Sequence, residues 1–351
     1  MHRPVLRYGA FLLALTACAD DATSPATPTD SAAPATIDAA PSRPSRPTGV
    51  PDVDLTRHDV PLEDVVFDTF DGGFTSLADS TEALRSRLRD AIPPLDRPRY
   101  EPGVETDWLA DDDLIVGYVS DDLAYAYPVR ILNSHEIVND ELGGLPVLIT
   151  YCPLCRSGVV YDRRLGEREL TFSNTSALHD SDLVMVDRET GSYWWQVAGR
   201  SIVGELTGAD LVALPSELAT WADWLGRHPD TLTLSRDTGF SRRYERDNFS
   251  RYDEAVASGD FAFPVGEGAQ DDRLGAADIV VAATVDGTTV AYPTDRLDEP
   301  FVDEIGGVEI TVTPHDFGAS ITRADGVPVG TRTAFWFSVA SAFPDVEIRP
   351  T

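Results

Sequence analysis

Residues 149 to 164 read ITYCPLCRSGVVYDRR and place Cys152 and Cys155 in a C-x-x-C spacing. Two sulfurs so spaced can share one cation, oxidise to a disulfide, or work as a redox pair. A disulfide across so small a loop contributes only about 2 kcal/mol through chain entropy, although an oxidising compartment would allow it. Redox chemistry of the thioredoxin kind needs the first cysteine at a helix N-terminus, where the dipole lowers its pKa. Here RSGVVYDRR continues as turn and strand, with Gly158 and two valines opposing a long helix. A metal knuckle suits the pattern best, because a strand, a tight C-P-x-C turn and a second strand present two thiolates to one ion. A reactive thiol at Cys152, as in a thiol-dependent oxidoreductase, stands as a further alternative.

Two thiolates are half of a tetrahedral site, so zinc or copper would need more donors. His135, in NSHEIVND, is the expected third ligand; His179 in SALHDSD, His315 in TVTPHDFG and Met185 in DLVMVD are further candidates. Each histidine serves equally well as a hydrogen-bonding residue of the core or surface, and Met185 lies in an apolar run that reads as core. Glu136 follows His135, but adjacent residues point apart on helix and strand alike, so a His135–Glu136 acid–base dyad is a non-specific signal. Asp187 and Arg188 open DRETG, and Asp162 opens the similar DRRLG. An aspartate with glycine four residues later suits a hairpin turn whose amides bond the carboxylate, with the arginine solvated. The chain holds no G-x-S-x-G, H-E-x-x-H, phosphate-loop or G-x-G-x-x-G pattern.

Strands must position these groups. DLIVGYVS, LAYAYPV, PVLITY, GVVYD, ELTF, DLVMVD, SYWWQV and SIVGEL are short β-branched and aromatic runs between turn signals. The fold class expected is mainly β, a β-rich α+β fold with a few peripheral helices. One helix is expected in LADSTEALRSRLRDAIPPL, with Asp79 and Glu82 as a capping box and Pro93 as the stop. A second is expected to start at Ser216 and to run through SELATWADWLGRHP. DLIVGYVSDDLAYAYPVRIL from Asp113 aligns with DIVVAATVDGTTVAYPTDRL from Asp278, and NDELGGLPVLITYCPLC with VDEIGGVEITVTPHDFG. Two related β units are therefore expected. His315 falls where Cys152 does, so the pair is dispensable to the scaffold.

Residues 1–17 combine basic residues with the apolar run GAFLLALTA, the layout of a signal peptide. LTAC resembles a lipoprotein cleavage site that leaves Cys18 acylated. Residues 18–51 are then a lipidated cysteine and a tether too poor in apolar residues to order itself. The folded part divides into a first unit with the CPLC motif and helical insertions, residues 52–265, and a second, shorter one, residues 266–351. Net charge is -31, and all 28 basic residues are arginine. Such acidity repels nucleic acid and anionic lipid.

The stretches AYPVRILNSHEIVNDELGGLPVLITYCPLCRSGVVYDR, LTFSNTSALHDSDLVMVDRETGSYWWQVAGRSIVGELTG and HPDTLTLSRDTGF resemble the bacterial and archaeal family called domain of unknown function 3179. The resemblance runs from Ile92 to the terminal FWFSVASAFPD and brings no activity with it. It implies that His135, Glu136, Asn139, Asp140, Cys152, Cys155, Asp187 and Arg188 occupy family motif positions, and that His179 does not. The resulting expectation is an extracytoplasmic lipoprotein, in the periplasm or at the cell surface, touching the membrane only through the lipid on Cys18. It binds copper or zinc through Cys152, Cys155 and His135 for redox or metal handling. The alternatives are a non-catalytic scaffold with a Cys152–Cys155 disulfide and a thiol-dependent oxidoreductase.

Overall fold

The computed structural model describes residues 47–246, 249 and 251–350; the expected signal peptide, Cys18 and the part of the expected tether before residue 47 lie outside them. The fold is mainly β. Its centre is an eight-stranded sheet in the order Glu347–Ile348, Thr288–Pro293, Ile279–Val285, Thr331–Phe335, Ser157–Asp162, Leu145–Cys152, Ile137–Leu142 and Leu95–Asp96. Strands from both sides of the 265/266 boundary meet in it, joined where Thr333 pairs with Gly158.

Both faces of this sheet are covered. Leu148, Val159, Tyr161 and Phe335 pack with Phe172, Leu183, Met185 and Trp194 of a six-stranded sheet. The alternate residues Val147, Ile149, Tyr151 and Val160 pack with Val116, Tyr127 and Leu218 of a five-stranded sheet. Side chains alternate along a strand, so burial on both faces turns LPVLITYC into a continuous apolar run instead of an alternating one. The layers approach closely at Gly158: a Cβ there would lie 3.0 Å from Leu218 and Val116. Further along, Val281 and Tyr292 pack on Ile310 and Val312 of a three-stranded sheet.

Most of the expected runs form strands, although Leu170 and Thr171 of ELTF lie outside them, and several unexpected strands join them. Ile137–Leu142, which reads polar as IVNDEL, is buried at every position but Glu141. Its polar side chains have partners: Asn139 Nδ2 donates to Asp96 Oδ1 and to the Phe172 carbonyl, both at 2.8 Å. Asp140 accepts from the Tyr100 and Tyr127 hydroxyls.

Two helix starts need correction. Thr81 caps Glu82–Leu88, its hydroxyl accepting from Leu84 N at 3.2 Å, while Asp79 turns back to Ser76. Ser216–Thr220 is a strand paired along Leu114–Ser120, and the helix Trp221–Arg227 begins after it with Thr220 as cap. Pairing with a buried strand outweighs the capping preference of Ser216. Val50, inside the expected tether, packs against the core.

The two aligned segments share element order and hairpin register. Val116 pairs with Tyr127 as Val281 pairs with Tyr292, and Tyr292 donates to Asp303 at 2.8 Å as Tyr127 does to Asp140 at 3.4 Å. They stand in different sheets: the Leu114–Pro128 hairpin belongs to the five-stranded sheet and the Ile279–Pro293 hairpin to the eight-stranded one.

Candidate metal centre

Cys152 ends one strand of the central sheet and pairs with Ser157, the first residue of the next. The intervening turn Pro153-Leu154-Cys155-Arg156 closes with Arg156 at φ 48. Phe335 N donates to the Cys155 carbonyl at 2.9 Å, which fixes the turn against the neighbouring strand. Both cysteines are free thiols and fully enclosed.

The third member comes from the six-stranded sheet. Asp182 begins the strand Asp182–Asp187 after a two-residue turn, Asp180-Ser181, in which both residues have positive φ. That turn type matches the twist of its flanking strands, and it delivers Asp182 to the space under the cysteine turn. Cys155 Sγ donates to Asp182 Oδ1 at 2.7 Å, and Val197 N donates to Oδ2 at 2.9 Å. Cys152 Sγ, Cys155 Sγ and an Asp182 oxygen all lie within 4.8 Å of one another. Around them Ser157 Oγ lies 3.3 Å from Cys155 Sγ and donates to Gln196 Oε1 at 2.5 Å; Gln196 Nε2 donates to Thr150 Oγ1 at 2.7 Å.

Burial dominates the electrostatics. It pushes both thiols up, Cys155 furthest, and raises Asp182 to about 6. Glu136, also buried, is raised to about 8 by that burial, with its Oε2 accepting from Asn174 Nδ2 at 2.7 Å. The charges acting on these groups are one another's: Asp182 and Glu136 on Cys152, and Asp182 on Glu136. A dry set of acids that repel one another holds its protons, or exchanges them for a cation.

The donor beside the two thiols is Asp182 and not His135, the expected third ligand. His135 Nδ1 meets the Pro93 carbonyl at 2.7 Å and Nε2 meets the Tyr244 hydroxyl at 2.8 Å, so both nitrogens are engaged. Burial lowers its pKa to about 4, which keeps the ring neutral. Met185 is enclosed in the core, as its sequence setting suggests, and pairs with Asn174 and Trp194. His315 lies elsewhere, with Nε2 3.0 Å from Ser320 Oγ and 3.4 Å from Glu217 Oε2. His179 packs edge-on against Trp195 at 4.5 Å.

Asp187 does hold its turn, accepting from Thr190 N at 2.6 Å and from Trp194 Nε1 at 2.9 Å. Arg188 is not solvated as expected; it bridges Asp96, at 2.7 Å, and Ser173 Oγ, at 2.9 Å. Asp96 also receives Asn139, so residues 96, 139 and 188 tie the two sheets that contribute the cluster. Sequence reading missed Asp182 as a donor, since it stands at no motif spacing from the cysteines. The available signal was a carboxylate opening an otherwise apolar strand, DLVMVD.

Outside the turn, a cleft of about 250 Å³ runs past Tyr151, Pro153, Arg156, Arg130 and Asn133. Arg156 forms an ion pair with Asp253 on its far wall and stacks over Phe335 at 5.5 Å. Among the described residues, no helix is long and apolar enough to cross a membrane.

A family model described as protein of unknown function (DUF3179) matches residues 89–343. No curated protein and no solved structure matches the chain.

Proposed function

Because the chain belongs to the DUF3179 family, whose description assigns no activity, we propose from the site alone that this is a metal-binding protein. In this reading Cys152, Cys155 and Asp182 hold a divalent ion, zinc before copper. The observation that carries it is the convergence of two thiols and a carboxylate within 4.8 Å, all enclosed. Burial keeps the two thiols protonated and makes the Asp182 carboxylate costly to ionise when alone, and a dication supplies the countercharge that lets all three be charged together. Zinc accepts mixed sulfur and carboxylate donors in tetrahedral geometry. Soft Cu(I) prefers thiolates and thioethers alone, and the carboxylate therefore favours zinc. The same reading keeps the chain outside the cytoplasm, with the lipid on Cys18 as its membrane contact and metal handling in the cell envelope as its role.

Metal content of the purified mature protein, compared with a Cys152→Ser/Cys155→Ser variant, is the test. About one equivalent in the wild type and none in the variant is expected; equally negligible metal in both, after zinc loading and desalting, rejects the reading.

One contact favours a second reading. The 2.7 Å hydrogen bond from Cys155 to Asp182 gives that thiol a buried proton acceptor. In exchange with a partner disulfide, Cys152 would attack as thiolate, form a mixed disulfide and release one partner sulfur, which takes the Cys152 proton; Asp182 would then take the Cys155 proton as that thiolate closes the Cys152–Cys155 bond and pass it to the second partner sulfur, so that the partner leaves as two thiols. A measurable thiol–disulfide potential in metal-free protein, insensitive to zinc, would favour it over metal binding.

A further inference from the structure

We propose that the cleft outside the cysteine turn binds a small molecule carrying a carboxylate beside an N–H donor: an amino acid, or the carboxy-terminal end of a short peptide. The inference stands apart from the metal reading. Tyr151 packs in the core shared with the five-stranded sheet and Cys152 in the core shared with the six-stranded one, so an occupant touches the turn and not the sulfurs.

Local structure brings the polar groups together. The strand Leu123–Pro128 runs into a single helical turn, Val129–Leu132, with Asn133 as its C-cap. Residues three apart on a helix share a face, and Arg130 and Asn133 both line the cleft. Asn133 Oδ1 is buried and has no hydrogen-bond partner. An amide oxygen left so is satisfied when a ligand brings an N–H to it. Arg130 donates through Nε to Asp113 Oδ1 at 2.6 Å, and Asp113 Oδ2 accepts from Ala110 N at 2.8 Å. That grip holds the guanidinium by one edge and leaves its terminal fork, whose geometry matches a carboxylate.

Charge and size narrow the class. The lining holds three arginines and four carboxylates, a net charge of -1, which opposes a multiply charged anion and suits a zwitterion. Phosphate oxygens are chiefly acceptors and do not serve Asn133 Oδ1. Leu114, Val129 and Pro153 supply apolar wall, and the volume of about 250 Å³ lies below the range of about 300 to 1,000 Å³ typical of drug-sized ligands. One or two residues of chain fit those limits.

Calorimetric titration of the mature protein tests this, with chelator present so that no metal holds the ligand. The probes are L-leucine, glycyl-L-leucine, leucinamide, which lacks the carboxylate, and 4-methylpentanoate, which lacks the N–H. L-leucine or glycyl-L-leucine should bind with a Kd of about 1 mM or lower, and the tighter of the two tells a free amino acid from a peptide end. Leucinamide and 4-methylpentanoate should bind at least about 10-fold more weakly, since each leaves a polar group of the cleft unpaired. Asn133→Leu should erase the preference over 4-methylpentanoate, and Arg130→Met the preference over leucinamide. Each variant should keep its other preference, which a general loss of fold would not allow. No heat with either leucine probe at about 10 mM, equal binding of all four, preferences unchanged in both variants, or tighter binding of inorganic phosphate overturns the proposal.

Discussion

Replacing Asp182 with asparagine separates what the carboxylate costs the empty protein from what it gives the loaded one. Its pKa rises from an ordinary 3.8 to about 6 on folding, so the folded state binds its proton more tightly than the unfolded chain. Stability from this group is therefore full below pH 4 and is lost as pH rises through 6. The loss amounts to about 3 kcal/mol at pH 7.5. An asparagine in its place would not ionise. It can still accept from Val197 N through Oδ1, leaving its amide toward Cys155 at a cost of about 1 kcal/mol. Metal-free Asp182→Asn should thus be about 2 kcal/mol more stable than wild type at pH 7.5 and lose that advantage at pH 4. Zinc reverses the comparison. At a free zinc concentration 1,000-fold above its Kd, wild type should gain about 4 kcal/mol. A variant binding about 100-fold more weakly should gain only about 1.4 kcal/mol. Urea titrations with chelator and with buffered zinc, at both pH values, give all the terms. Equal stabilisation of both proteins by zinc would refute Asp182 as a ligand; a metal-free variant less stable than wild type at pH 7.5 would refute the buried-acid reasoning.

Zinc affinity should fall steeply on acidification, since burial holds both thiols above their ordinary pKa and each must surrender a proton. Calorimetry in buffers of different ionisation enthalpy should find about two protons released near pH 7, and release of none would argue against thiolate ligation. His135→Ala should keep full metal content while destabilising the fold by about 2 kcal/mol through its lost buried contacts; loss of metal with the fold intact, by circular dichroism, would restore His135 as a ligand. Gly158→Ala would press a Cβ to 3.0 Å from Leu218 and Val116 and should cost about 1 to 3 kcal/mol, measured by denaturation; a neutral effect would mean that the five-stranded sheet yields there. Cys152→Ser/Cys155→Ser should fold without metal and show no zinc-dependent change in melting temperature, whereas a retained shift would place the ion elsewhere.

The strands and the cysteine turn were legible because each depends on neighbours in sequence. PVLITY and DLVMVD carry their burial in their composition, and RSGVVYD declared a strand where a thioredoxin site would need a helix. What stayed hidden depends on distant partners. IVNDEL looks like a polar loop until Asp96, Tyr100 and the Phe172 carbonyl are there to satisfy Asn139 and Asp140. Ser216 looks like a helix cap until Leu114–Ser120 offers it a ladder. His135 was the natural ligand by residue type, but Pro93 and Tyr244 occupy both its nitrogens. Asp182 becomes a candidate only when the six-stranded sheet is laid on the central one.

The most direct measurement is X-ray absorption at the zinc edge of the mature protein loaded with one equivalent of zinc. Metal bound by Cys152, Cys155 and Asp182 gives two sulfur neighbours at about 2.3 Å and oxygen neighbours at about 2.0 to 2.2 Å. A shell of nitrogen and oxygen alone would contradict it.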